Sequence, residues 1–321
     1  MKNINVLHVI KNTGTESQQI SALQKYTDIN LHVLIPTGVK LNSIPCTTYS
    51  NANEIKKLIK NISPDIIHTH DSHELRTIAS KAGKFKLVHS QHNVEELNFF
   101  AKLTVGNLSD IVIATTDKAR ESLIKTGTSA TKIRMVFNGT EPLAEDEKTQ
   151  IELRNKLNIT KTDFVVACLG NSHTDTILNT AKELPYNVIV IILGSDSRTM
   201  PENLNNVRIA DVNNTEDILS IADVITCPPQ YEMYKPLFLG MSIGKPIIAL
   251  NMNRYIMEDK INGLTIPSFE ADKLDDAITR LKEDPPLYST LSNGARKRFA
   301  ERFTIQKMAN NIADLYKRLI E

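Results

Sequence analysis

Three histidines, His68, His70 and His73, fall within six residues of PDIIHTHDSH (64–73), and His92 stands near the end of KLVHSQHN (86–93). Imidazoles at this density can trade protons, hydrogen-bond a ligand or hold a metal ion. No further ligand spacing accompanies the three, so no metal is expected; His92 reads either as a cleft residue or as a hydrogen-bonded packing residue. Gly14, in KNTGTES (11–17), precedes a helical pattern, where backbone N–H groups and a helix start can face a phosphate. Asn138-Gly139 reads as a tight turn with positive φ. Farther on, PPQYEMYKPLFLGMSIGKPII (228–248) carries a single acid, Glu232, with Lys235 close behind it.

These residues must be positioned by the elements around them. Short β-branched runs alternate with longer periodic stretches: INVLHVI, LHVLI, DIIHT, KLVHS, DIVIAT and IRMVF in the first half, then FVVACLG, NVIVIILG, NVRIA, ADVITC, KPIIAL and GLTI. The runs are apolar on both faces, as strands covered by helices on both sides must be. Helices are predicted near 16–27, 51–61, 72–82, 94–103 and 117–126, then near 147–157, 174–184, 215–221, 235–243, 270–283, 286–302 and 305–320. Strand–helix alternation predicts α/β architecture: two Rossmann-like, doubly wound parallel-sheet domains facing each other, at 1–145 and 146–303, with a polar connection where the alternation pauses. Ligands of such sheets gather beyond the carboxyl ends of the strands.

Composition narrows the function. The chain has 321 residues, 41% of them hydrophobic, and 38 basic residues balance 37 acidic ones, which argues against general nucleic-acid affinity. Cys46, Cys168 and Cys227 are widely spaced and form no CxxC pair, so no disulfide framework or zinc site is expected. MKNI runs straight into NVLHVI with no charged-then-apolar leader, and the longest apolar run, VIVIIL (188–193), is too short for a bilayer. The expectation is a cytoplasmic protein.

The landmarks, in order, resemble the retaining nucleotide-sugar glycosyltransferases of the GT-B fold. PDIIHTHDSH is similar to that family's strand ending in His-x-His, and KLVHSQHN to its next strand, with His92 at the position of the cleft histidine. SDIVIATTDKARESLIKTG (109–127), KIRMVFNGTE (132–141), NVRIADVNNTEDILSIADVITCPPQYE (206–232), MSIGKPIIAL and NGLTIP complete the likeness, which runs from about residue 4 to 320. The resemblance implies GT-B domains, a nucleotide-sugar donor as substrate, no cofactor, and a glycan, lipid-linked or protein acceptor. It puts His92 near the reacting centre, His70 and Asn93 on the acceptor side, and Gly14 toward the donor phosphates. It also implies that the last helix, 304–321, crosses back to the first domain.

The donor side departs from the pattern. The family places an Arg and a Lys after the first strand of the second domain, and two glutamates separated by seven residues. Here Asn171 occupies the Arg position and the Asp175-Thr176 region replaces the Lys; Glu232 fits the first glutamate, Leu239 falls on the second, and NMNRY (251–255) replaces a Gly-Gly loop. Two lost charged contacts to a diphosphate would cost about 3–6 kcal/mol, on the order of 10²–10⁴-fold in rate. Lys235 and Arg254 are candidates to restore the cations. Two readings therefore stand: a sugar transferase, or a non-catalytic homologue that serves as partner or acceptor-binding subunit of an active one. A nucleotide-sugar epimerase on the same plan is a third, but the motif order follows the transferases. The cluster Arg296, Lys297, Arg298 and Arg302 reads as a solvated helix face or as a peripheral contact with an anionic membrane.

Overall fold

The computed structural model describes residues 4–41, 44–93, 108–170, 172–194, 204–229, 233–250, 252 and 255–321. The chain divides into two units, residues 1–139 with 305–321, and residues 140–304.

The first unit is a seven-stranded parallel sheet. Its strands are β1 (Asn5–Val9), β2 (Asn30–Pro36), β3 (Thr47–Tyr49), β4 (Ile66–His70), β5 (Lys86–Gln91), β6 (Ile111–Ala114) and β7 (Ile133–Met135). They lie in the order β3-β2-β1-β4-β5-β6-β7, which reverses direction between β1 and β4. Side chains alternate between faces along a strand. Val6, Ile66, Val88 and Ile113 therefore meet Leu23 of α1 (Thr15–Tyr26) and Met308, Ile312 and Tyr316 of the C-terminal helix (Ile305–Ile320). On the opposite face Leu7, Ile67 and Leu87 pack against Ile55 and Ile59 of α2 (Ala52–Ile62) and Leu75 of α3 (His73–Ser80). Each such aliphatic side chain, wholly buried, contributes about 1.5–3 kcal/mol. Helix α4 (Asp117–Lys125) covers β6 and β7.

The second unit repeats the plan with six strands, β8 (Phe164–Leu169), β9 (Val188–Leu193), β10 (Val207–Ala210), β11 (Val224–Cys227), β12 (Ile247–Ala249) and β13 (Gly263–Thr265), in the order β10-β9-β8-β11-β12-β13. Its described helices are α5 (Glu147–Lys156), α6 (Thr174–Glu183), α7 (Thr215–Ile221), α8 (Tyr234–Ser242), α9 (Ala271–Glu283) and α10 (Pro285–Arg302). Cys168 and Cys227 are buried in this unit, and burial pushes both thiols up to about 12.

A recurring Asp before a strand locks both sheets at their amino edges. Asp65, Asp110 and Asp223 each accept the N–H of a residue at or beside the start of the adjoining strand, Asn5, Leu87 and Val165, at 2.7–2.9 Å. The main-chain N–H of each Asp donates back to the carbonyl of the same residue. This closed pair sets the register of neighbouring parallel strands, and explains the Asp in PDII, SDIV and ADVI.

The structure differs from the sequence reading in three places. Strand β3 was not anticipated, because TTY is short and mostly exposed; it is recruited to the edge by pairing with Leu34–Pro36. Asn138 and Gly139 are not among the positive-φ residues; Gly139 instead runs between Gln18, which donates to its carbonyl, and the Met308 sulfur, which accepts its N–H. Arg298 is not part of a solvated face. It is 7% exposed and paired with Glu258, while Arg302 lies over the Tyr255 ring. Among the described residues no helix is long and apolar enough to cross a membrane. Finally, the helix predicted near 94–103 lies outside the described residues.

Gly294 offers a test of this packing. It lies inside α10, where alanine is ordinarily the better helix former by about 1 kcal/mol. A Cβ there would stand 1.7 Å from the Ile261 carbonyl oxygen, a backbone atom that cannot swing away. Gly294→Ala is expected to destabilise the protein by about 1–3 kcal/mol, seen as a lowered urea midpoint. An unchanged or raised midpoint would show that this contact is slack.

Candidate functional site

The parallel register of the first sheet brings the histidines together. His8 on β1 stands opposite His68 on β4, and His70 stands opposite Ser90 on β5. Period-two alternation then puts His8, His68, His70, Ser90 and, just beyond the strand, His92 on one face. This is the point where the strand order reverses, the place at which doubly wound sheets bind ligands. None of the four histidines is more than 7% exposed.

Every ring nitrogen of the four has a partner. His92 Nε2 lies 3.1 Å from His70 Nδ1, and His70 Nε2 lies 3.0 Å from His8 Nδ1. The Tyr316 hydroxyl lies 2.5 Å from His68 Nδ1 and 3.4 Å from His8 Nε2, and His68 Nε2 is 2.8 Å from Ser90 Oγ. Asn138 Nδ2 is 3.5 Å from His92 Nδ1. Burial holds His8 down to about 3, and holds His68 and His70 well below the usual imidazole range. His92 is lowered for the same reason, although the Asp71 carboxylate opposes the shift. On the other face His89, also lowered by burial and by the nearby Arg76 guanidinium, pairs with Thr69 at 2.8 Å. The site is therefore built from neutral imidazoles.

Beyond the strand ends Asp71 organises the rim. Its backbone sits in the left-handed region at φ 42°, a conformation Asp tolerates better than most residues. Its carboxylate accepts from the N–H of His92 at 2.6 Å, the N–H of Asn93 at 3.2 Å and the Asn93 amide at 2.7 Å. Asn93 is exposed; His70 is not. The sequence reading missed Asp71, although its place directly after His70 in HTHD was the available signal. It also missed Tyr316, which sits 248 positions from His68 and carries no local signature.

The Gly14 loop differs from its expected form. Glu16, in the first turn of α1, is 5% exposed, and its carboxylate lies beside Gly14, where the backbone at Gly14 and Glu16 favours its charged form. The helix start that was assigned to a phosphate thus already holds an anion of the chain. Desolvation raises the Glu16 carboxyl above its ordinary value, and Asp71 adds to the rise.

In the second unit Gly170, just after β8, has φ 74°, and Asn171 next to it lies outside the described residues, as do Glu232 and Arg254. Lys235, at the start of α8, is exposed and pairs with Glu216 of α7 at 3.0 Å. Leu239 is buried inside α8, so an apolar residue is what that position packs.

Among the described residues, the set able to hold a metal ion is His8, His68 and His70, whose ligand atoms lie within 4.8 Å of one another. The grouping of His68, His70 and His73 is not the one formed, because His73 opens α3 while His8 arrives from β1.

Residues 8–142 match the model of Glycosyltransferase Family 4. The two sheets have the Rossmann-like architecture of GT-B glycosyltransferases. An α-D-kanosaminyltransferase of Streptomyces kanamyceticus is 24% identical over 105 residues, 32% of this chain and 27% of that protein. The matched segments span about a quarter of the length of the curated relatives. Among solved structures, HepE of Anabaena in complex with UDP aligns at TM-score 0.76 and 16% identity, over 98% of this chain and 100% of the other. A glycosyltransferase of Rickettsia africae aligns at 0.80 and 15% identity, over 100% of both chains.

The neutral histidines predict a sharp acid response. Their folded-state pKa values are depressed, so below about 6.5 the unfolded chain binds more protons than the folded one, and stability falls as pH falls. A histidine held neutral in the folded state removes about 1.4 kcal/mol per pH unit below that point, and the depressed group is His8, His68, His70, His89 and, less strongly because of Asp71, His92. The urea midpoint is expected to fall progressively from pH 7 to pH 5. Urea midpoints that stay level from pH 7 to pH 5 would show that these imidazoles titrate normally.

Proposed function

We propose that the protein transfers a sugar, with retention, from a nucleoside-diphosphate donor to a hydroxyl-bearing acceptor. The observation that carries this reading is the end-to-end likeness in fold to a UDP-bound protein, HepE of Anabaena, also solved with UDP-glucose. The family match over residues 8–142 supports it.

The rim of the first unit suits the acceptor. His92, Asn93 and Asn138 offer uncharged donors and acceptors, and Asp71 holds the first two in place. Such groups satisfy sugar hydroxyls, which both donate and accept, and repel neither. His70 lies behind His92 and supports its ring. On the donor side Glu232 orients the sugar, and Lys235 and Arg254 supply charge to the leaving diphosphate in place of the missing Arg and Lys. Lys235 must exchange Glu216 for phosphate to do so, and Gly14 can meet a phosphate only if the Glu16 carboxylate withdraws or is protonated. The reaction needs no cofactor and no protein nucleophile. The protein would act in the cytoplasm, with the membrane face as one source of acceptor.

The second reading, a non-catalytic homologue that partners an active glycosyltransferase, draws on two observations. Leu239 is buried where the family carries its second glutamate, and Lys235 is engaged by Glu216.

Titration with UDP, GDP and ADP, followed by melting temperature, separates them. One diphosphate at 100 times its Kd is expected to stabilise the protein by about 2.7 kcal/mol. Glu232→Ala is then expected to abolish sugar transfer while nucleotide binding persists. No shift with any nucleotide at millimolar concentration would reject the enzymatic reading and leave the partner subunit.

A further inference from the structure

We propose that the buried histidines of the first unit form a single directional hydrogen-bond chain, from Asn138 to Gln19, that fixes the tautomer of His92. Asn138 sets its direction, and Tyr316 of the C-terminal helix is the positioning residue that carries it on to His68.

A neutral imidazole carries one N–H and one lone pair, so each ring donates once and accepts once. A hydroxyl in such a series also passes on what it receives. Among the described residues the series does not branch, so one assigned proton determines all the others.

Asn138 supplies the first assignment. Its amide nitrogen faces His92 Nδ1, so it donates and His92 carries its proton on Nε2. His92 Nε2–H then donates to His70 Nδ1, and His70 Nε2–H to His8 Nδ1. His8 Nε2–H donates to the Tyr316 oxygen, whose own proton goes to His68 Nδ1. His68 Nε2–H donates to Ser90 Oγ, and the Ser90 hydroxyl to Gln19 Oε1 at 3.4 Å. The series closes on a carbonyl, which can only accept. All four histidines emerge as the Nε2–H tautomer.

The ends carry a second, independent observation. Asn138 Oδ1 and Gln19 Nε2 are buried and have no partner in the structure. The unpartnered amide atoms thus sit at the two ends of the chain and not within it. Turning both amides over would reverse every bond in concert, so the chain has two states. Burial keeps each imidazole uncharged, which the assignment requires.

The consequence for His92 is that its Nδ1 lone pair meets the strand-end rim, where the Asn138 contact is long at 3.5 Å. A ligand hydroxyl arriving there would find an acceptor, not a donor. This last step rests on the sugar-transfer reading; the chain itself does not.

The experiment is a long-range ¹H–¹⁵N correlation spectrum of the full chain, labelled at histidine, at pH 7.5. The native protein is expected to show His8, His68, His70 and His92 each as one Nε2–H species. Asn138→Asp leaves only an acceptor at that end, and is expected to convert all four, including the distant His68, to Nδ1–H. Tyr316→Phe cuts the chain while keeping the ring, and is expected to leave His92 and His70, still tied to Asn138, as Nε2–H while His68 turns from one tautomer into a mixture. A response to Asn138→Asp confined to His92, or an unchanged His68 in Tyr316→Phe, would overturn the proposal. So would a native spectrum with Nδ1–H or doubly protonated rings, which decides the matter even if both variants fail to fold. Stoichiometric cobalt(II) binding with a visible d–d band, lost in His70→Ala, would also overturn it, by showing the rings to be metal ligands. None of these readouts depends on sugar transfer, so its failure and that of the chain are distinguishable.

Discussion

A polar group withdrawn from water must keep a partner or cost several kcal/mol, and the first unit is organised around that demand. Three imidazoles, His8, His68 and His70, occupy strand positions that would ordinarily hold valine or isoleucine, a fourth, His92, follows β5 directly, and none is more than 7% exposed. They stay neutral because burial penalises their charge, and being neutral they can satisfy one another. The C-terminal helix contributes the group that joins two of them, the Tyr316 hydroxyl. That helix belongs to the first unit in its contacts, although 165 residues of the second unit, 140–304, intervene in the chain. Polar satisfaction and apolar packing through Met308 and Ile312 thus fix the helix on the same sheet face.

Much of the fold was legible because parallel strands buried on both faces leave continuous apolar runs, and because the connecting helices carry a different period. What escaped was set by tertiary context. TTY has too few residues and too little burial to announce an edge strand. Asn138-Gly139 has the composition of a turn, yet its conformation answers to Gln18, Met308 and His92, none of them near in sequence. In the basic stretch of α10, charge alone could not reveal that Arg298 reaches Glu258 forty positions away. The site was partly legible. His70 and His92 were identified by their places at strand ends, and register brings them into hydrogen-bond contact. His8 was passed over, since a histidine inside NVLHV reads as one polar residue in a strand; only the β1–β4 register shows what it meets.

The second unit has the same architecture with a plainer described interior, an aliphatic core with two cysteines. Its described residues at the expected donor positions are apolar or already paired, Leu239 and Lys235 respectively. The likeness to glycosyltransferases accordingly rests on fold throughout and, through the family model, on the sequence of residues 8–142. A site of neutral donors and acceptors is a consistent partner for hydroxyl groups, whereas a phosphate calls for fixed positive charge.

The imidazoles at the strand crossover are uncharged, and each carries one proton. Neutron diffraction from a crystal grown in D₂O near neutral pH measures this directly, by counting deuterons on the ring nitrogens. One deuteron is expected on each of His8, His68, His70 and His92. Two deuterons on any of these rings would mean a buried cation, and would contradict that expectation.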